Sequence, residues 1–217
     1  MVNEIYFFLI DNISYTTFYQ LIITKKGKKM SDIKVLIAYG TRTGCTEEIS
    51  QKLADALEKK GFSSDLLNLG EVKSKKWPSL SDYEGIIVGT SIRATMWTKG
   101  VKSFLNKHKE DLKKKEQKFG MFSVGLYAVT QVEESRVMIV DKLKDKHDLE
   151  ADLNDAFGGM MDLSEDSTMG KATKSIMKAA AKGMQEDMGV EIDKEGCNDF
   201  RDWDRIAKFA EAFAGLL

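Results

Sequence analysis

The chain is poor in the residues that do chemistry unaided. Its 217 residues include two cysteines, Cys45 and Cys197, and two histidines, His108 and His147. Two thiols do not make a disulfide scaffold, and with two imidazoles they do not make a Cys/His cluster, so no metal site is expected. A reducing, cytoplasmic compartment suits such an inventory. Neither histidine can be placed beside a serine or cysteine nucleophile. His108 falls on a lysine-rich helix and His147 at a helix end, where both are expected to be solvated. Net charge is nearly absent, with 33 basic residues against 34 acidic ones. That removes a global pull toward nucleic acid, and also the heavy negative charge of a small carrier that docks by electrostatic steering. The apolar stretch Ile5–Ile10 is cut by Asp11 and Asn12 far short of a membrane span. Proline occurs once, at Pro78, in the loop Gly70–Ser81. No internal repeat or low-complexity tract interrupts the chain.

What is present is an ordinary globular composition, 42% apolar and 31% charged. The length suits one domain with a sizeable core, or one domain with an extension. Residues 1–29 read differently from the rest. Lys25, Lys26, Lys28 and Lys29 follow the apolar stretch, whereas a signal peptide places its positive charges first. With Met30-Ser31-Asp32 as a natural start, 1–29 is expected to be an over-long gene start or a poorly ordered arm, with a lipid-touching arm as the alternative.

From Ile33 onward strands alternate with helices, which argues a parallel sheet covered on both faces. Strand one is Ile33–Tyr39. The following helix carries Ile49, Leu53, Ala56 and Leu57 on one face and stops at Gly61. Further strands are expected around Asp65–Leu69, Gly85–Gly89, Phe119–Val124 and Ala156–Met161. A helix is expected over Glu133–Lys146 and a closing one over Asp202–Leu217, after an insertion-like stretch at 162–197. Five strands with right-handed crossovers give the doubly wound order 2-1-3-4-5, with a ligand crevice at the C-terminal ends of strands one, three and four.

The most informative segment is the turn Gly40-Thr41-Arg42-Thr43-Gly44-Cys45-Thr46, which leads straight into a helix at Glu47. A strand that ends in such a turn aims free backbone N–H groups at one point, at the positive end of the helix dipole. That is an anion site. It lacks the lysine of a P-loop, G-x-x-x-x-G-K-[ST], and Gly40 and Gly44 have the wrong spacing for a G-x-G-x-x-G dinucleotide turn. Three threonines that can donate to a phosphate, with no metal-binding signal, suit one terminal monophosphate. Cys45 at the helix start could carry a lowered thiol pKa, although a small residue packed beside the phosphate explains it more simply.

The run T-x-T-G-x-T after a buried strand resembles the phosphate loop of flavodoxins, which hold flavin mononucleotide (FMN). The variant T-R-x-G-x-T, with Arg42, is similar to the menaquinone-dependent protoporphyrinogen oxidase branch of that group. Tyr83–Arg93, Phe122–Leu126 and the Asp202-Trp203 pair support the same resemblance, which covers roughly Ile33 to the C-terminus. It implies a flavodoxin-like domain over 30–217 that binds FMN. Thr41, Arg42, Thr43, Gly44, Cys45 and Thr46 would hold the phosphate, and Thr90, Ser91 and Ile92 would bond the ribityl chain and ring. The loop after strand four, Gly125-Leu126-Tyr127, would flank the ring. Trp97 and Tyr127 are the candidates to stack on it. Arg93 would raise the flavin potential or bind a substrate carboxylate.

Lys171, Lys174, Lys178 and Lys182 recur at helical spacing, while Ile176, Ala180 and Met184 share another face. A basic face beside a methionine-bearing one suits peripheral contact of 171–188 with an anionic membrane, or a bulky ligand. The insertion lacks the Tyr/Arg/Trp-rich character expected of the protoporphyrinogen branch. Three readings follow: a flavin oxidoreductase with a small-molecule or quinone acceptor, a one-electron carrier between redox proteins, and a flavin-free phosphate module. No residue is assigned a catalytic role of its own.

Overall fold

A computed structural model describes residues 30–167 and 169–217; the expectations for 1–29 lie outside the described residues. Five parallel strands form the sheet: β1 (Lys34–Gly40), β2 (Ser63–Asn68), β3 (Gly85–Ser91), β4 (Lys118–Val124) and β5 (Leu153–Phe157). Their order is β2-β1-β3-β4-β5, the flavodoxin-like arrangement expected. The central strands are buried on both sides, and their residues alternate between two cores. Leu36, Ala38, Ile86, Val88, Phe119 and Met121 face one. Val35, Ile37, Ile87, Phe122, Val124 and Phe157 face the other. An unbroken apolar strand thus serves two faces at once, the pattern of a parallel sheet sandwiched by helices.

The helices are α1 (Cys45–Lys59), α2 (Lys99–Lys107), α3 (Lys109–Lys113), α4 (Val132–Lys142), α5 (Lys171–Met188) and α6 (Trp203–Ala214). The α1 helix buries Ile49, Leu53, Ala54 and Leu57 on its inner face. It ends as expected at Gly61, whose φ of 92° is left-handed. Asp202 caps α6 by accepting from the Arg205 N–H at 2.9 Å.

Two boundaries differ from expectation. The strand expected over Ala156–Met161 is two strands. β5 stops at Phe157, and after Gly158-Gly159 the chain pairs Met160–Asp162 (β6) antiparallel with Cys197–Asp199 (β7). A Cβ at Gly158 would collide with the Phe200 carbonyl, so glycine permits the break. The insertion therefore hangs from the end of β5 on its own two-stranded tie. It has a small core of Met161, Leu163, Ala181 and Ile192, against which Met177 and Met184 pack. The helix expected to reach Lys146 gives way after Lys142 to one wide turn, Leu143–His147, of π-helical form.

Both histidines are buried, not solvated. His147 Nδ1–H donates to Asn106 Oδ1 at 2.8 Å, and its ring stacks on Trp97 at 5.8 Å and 3°. His108 sits 4.7 Å from the Phe104 ring. Burial lowers the pKa of both, reinforced by Lys107 for His108 and by Lys109 and Lys102 for His147. The wide turn carries His147 inward, an excursion that 3.6-residue periodicity does not register.

Phe122, Phe157 and Phe209 form an aromatic triad with centroids 5.5, 6.1 and 5.8 Å apart, tying β4, β5 and α6 together. Phe122→Ala is expected to cost about 3–5 kcal/mol, read as a lowered denaturation midpoint in urea. A loss below about 1 kcal/mol would show that the triad does not hold these elements together.

Candidate functional site

The register sets the site. Gly40 pairs with Thr90, and Thr90 with Ser123, so β1, β3 and β4 end abreast and release their loops on one side. The 41–46 turn comes first. Gly44, with φ of 84°, takes the left-handed conformation that lets the chain enter α1 without a side-chain cap. Among the described residues, no backbone N–H of residues 41–46 donates to a protein acceptor, while Glu48 N–H closes the first turn on Gly44 at 3.0 Å. The hydroxyls of Thr41 and Thr46 are buried and likewise lack partners. Thr46 is fully buried. Unpaired buried donors are costly unless something fills the hollow they face. A phosphate monoester would meet that demand by accepting from these amides and hydroxyls at the helix N-terminus, although of residues 41–46 only Arg42, Thr43 and Cys45 line the adjoining cavity. The residues present fit the group.

Arg42 and Thr90 do not act as their positions alone suggest. The Arg42 guanidinium turns across the crevice to the next loop, donating to Ser91 O at 2.5 Å, Ser91 Oγ at 2.9 Å and Met96 O at 3.2 Å. It staples two loops rather than pointing into the amide nest. Burial, with the charge of Arg93, holds its pKa below the ordinary guanidinium value. Thr90 is buried and accepts from the Thr98 N–H at 3.2 Å, bracing the start of α2. Ser91, Ile92, Arg93, Trp97, Gly125, Leu126 and Tyr127 all line one cavity with Arg42, Thr43 and Cys45.

That cavity has a volume of about 650 Å³. Its first wall is the 91–97 loop, a tight excursion in which Ala94 and Thr95 take left-handed φ values of 46° and 61°. Reciprocal bonds between Arg93 and Met96 at 3.2 and 2.9 Å close it. Trp97 has one face against His147 and is almost wholly buried, while Tyr127 is 56% exposed at the rim. The Arg93 side chain is exposed and has no hydrogen bond or ion pair among the described residues. Cys45 is buried, and burial pushes its thiol up despite the nearby charge of Arg201. A protonated, enclosed thiol fits the packing explanation, not a nucleophile.

The second wall comes from residues not anticipated as site residues. Helix α4 supplies Ser135, Met138 and Lys142; β6 supplies Met160 and Met161; the insertion supplies Met169, Thr173 and Met177. Methionine content in the insertion was a visible signal, but Lys142 carried none. Arg201, after β7, anchors this wall to the anion cradle. It binds Asp199 and Glu48, both at 2.6 Å, with its side chain only 7% exposed, and lies 4.5 Å from the Trp203 ring centroid. The Asp199 and Glu48 carboxylates raise its pKa against the opposing effect of burial.

On α5, Lys174 donates to Ser164 O at 2.5 Å, and Lys178 pairs with Glu195 at 2.6 Å. Lys182 also lies 4.0 Å from Glu186, so three of the four lysines of the expected basic face have partners within the insertion. Ile176 is 68% exposed while Ala181 is buried. No helix among the described residues is long and apolar enough to cross a membrane.

Residues 36–188 match the Flavodoxin domain family. Over 96 residues the chain is 31% identical to protoporphyrinogen IX dehydrogenase [quinone] of Escherichia coli (strain K12), a match covering 44% of this chain and 50% of that relative. The chain thus spans about half the length of the curated relatives it matches. Flavodoxin 1 from Bacillus cereus superposes with a TM-score of 0.51 at 13% identity, over 85% of this chain and 99% of that one. Rubredoxin oxygen:oxidoreductase from Desulfovibrio gigas gives 0.51 at 15% identity, over 84% of this chain and 35% of that one. At such identities the likeness shows the fold. The chain belongs to the flavodoxin domain family, and FMN is the cofactor that membership implies.

Proposed function

We propose that the chain is an FMN-dependent oxidoreductase that takes electrons from an organic substrate and passes them to a quinone, in the manner of a protoporphyrinogen dehydrogenase. One observation carries the reading. The cavity that begins at the anion cradle is lined by Arg42, Arg93 and Lys142, and by no carboxylate among the described residues. Positive charge beside a flavin favours its anionic reduced form and so raises its potential, toward oxidising an organic molecule. A low-potential carrier gains from the opposite arrangement. The partial likeness to a quinone-linked dehydrogenase supports the same choice.

FMN would supply the two-electron chemistry, and the chain would supply placement and field. The 41–46 amides and the Thr41 and Thr46 hydroxyls would hold the phosphate. Arg42 fixes the gap between two loops by bridging to Ser91 and Met96. Trp97, backed by His147, forms a rigid wall that excludes water. Neither a carboxylate nor an imidazole lines the cavity among the described residues; besides the two guanidiniums its proton-bearing side chains include the Tyr127 phenol, the Cys45 thiol and the Lys142 ammonium. We place the protein in the cytoplasm, with peripheral membrane contact through 171–188 limited to the exposed Lys171, Ile176 and Lys182.

A second reading, a carrier between protein partners, draws on Met96 and Tyr127, which are 59% and 56% exposed beside the cavity. Apolar side chains at the edge of a redox site suit transient docking.

Thr46→Val, which keeps shape and removes one unpartnered donor, is expected to weaken FMN binding about 5–30-fold in a fluorescence-quenching titration. Unchanged affinity would place the phosphate elsewhere. Arg93→Ala is expected to lower the flavin midpoint potential, by roughly 20–90 mV for about 1–4 kcal/mol of lost field. An unchanged potential removes the tuning role. After anaerobic reduction, the FMN-loaded protein should be reoxidised rapidly by menadione. Reoxidation only by a redox protein would favour the carrier.

A further inference from the structure

We propose that the methionine-walled arm of the cavity is a subsite for a bulky, largely apolar organic anion, with Lys142 receiving its acidic group. The inference deepens the functional reading above and rests on it.

The cavity has two unlike arms. One is made by the cradle and the loops after β3 and β4. The other is walled by Met138, Met160, Met161, Met169 and Met177, five of the chain's 11 methionines; Lys142, one turn after Met138 on α4, borders both, with its ammonium turned to Thr95 and Trp97. Methionine is unbranched and polarisable, so such a wall moulds to a large, irregular apolar surface. The wall is held in place from outside, because Met177 packs on the insertion's core and Arg201 ties that unit to α1.

Charge then narrows the class of ligand. A cation entering the arm would find no carboxylate among the described lining residues, and would be left desolvated without a partner. An anion would find Lys142. Of the three cations in the lining, Arg42 is committed to Ser91 and Met96, and Arg93 stands exposed at the rim. Lys142 is half-buried on the last turn of α4. Its ammonium lies 5.8 Å from the Trp97 ring centroid and donates to Thr95 O. An ammonium has three donors, and no carboxylate pairs with this one among the described residues, so capacity for an acidic group remains. Burial, together with Lys102, lowers its pKa. A bound carboxylate would offset that cost and keep the ammonium charged. A neutral quinone would use the methionines and make no demand on Lys142, which separates the two kinds of ligand experimentally.

The test compares 1-pyrenecarboxylate with its uncharged analogue 1-pyrenemethanol, titrated by fluorescence into FMN-loaded protein. Wild type is expected to bind the carboxylate at least tenfold more tightly. Lys142→Met should abolish that preference while retaining one FMN per chain and unchanged affinity for the alcohol. Lys142→Arg should restore it. Equal affinities in wild type, a preference that survives Lys142→Met, or displacement of the carboxylate by FMN from apoprotein would each overturn the subsite. Protein that takes up no FMN refutes the parent reading. Protein that takes up FMN yet shows no preference refutes only this inference.

Discussion

Among the described residues, the backbone amides of 41–46 at the front of α1 have no protein acceptor, and the arrangement of the site follows from that shortage. Gly44 takes a left-handed turn so that the chain can enter the helix with its donors aimed outward. Thr41 and Thr46 add buried hydroxyls in the same state. An unpaired buried donor costs on the order of 1–3 kcal/mol, so an acceptor for the Thr41 and Thr46 hydroxyls would offset a cost that the turn otherwise carries. The parallel register then brings Gly40, Thr90 and Ser123 abreast, which places the loops that form the first wall beside the cradle.

The insertion completes what the sheet begins. β6 and β7 pair with each other and leave β5 at the sheet edge, so the added unit folds on its own small core and faces the cavity from the side. Arg201 links it to the cradle through Glu48 on α1 and Asp199 on β7. The same contact keeps the Glu48 carboxylate, in the first turn of α1, engaged with a cation near a site meant for an anion. The tie between the insertion and the first turn of α1 therefore runs through a single buried guanidinium. Removing one partner from such a cluster leaves an uncompensated charge.

Much of the architecture is legible from local pattern. Apolar strands of the Ile33–Tyr39 and Gly85–Gly89 kind, helices with one apolar stripe, and the Gly61 stop each follow from a rule with a short reach along the chain. The threonine-rich turn is equally local, since the amides, hydroxyls and left-handed glycine lie within seven residues. The errors have a common origin. His147 reads as a solvated helix end, yet one π-turn carries it beneath Trp97. Met160 and Met161 read as the end of β5, but the glycine pair releases them to pair with Asp199 and Asn198 on β7. Arg42 reads as a phosphate ligand, although its hydrogen bonds reach carbonyls and a hydroxyl about 50 residues away.

The amino-acid order alone determined the strand sequence, the doubly wound sheet and the threonine-rich turn that opens α1, because each arises from contacts among neighbours in the chain or from hydrophobic periodicity. Only the tertiary structure decided which charges share the cavity. Arg42, Arg93 and Lys142 come from three separate crossovers, and no periodicity relates them. Their convergence depends on how α4 and the insertion pack against the sheet ends. A cavity's field is a sum over space, and spatial neighbours of that kind are fixed by packing rather than by spacing along the chain.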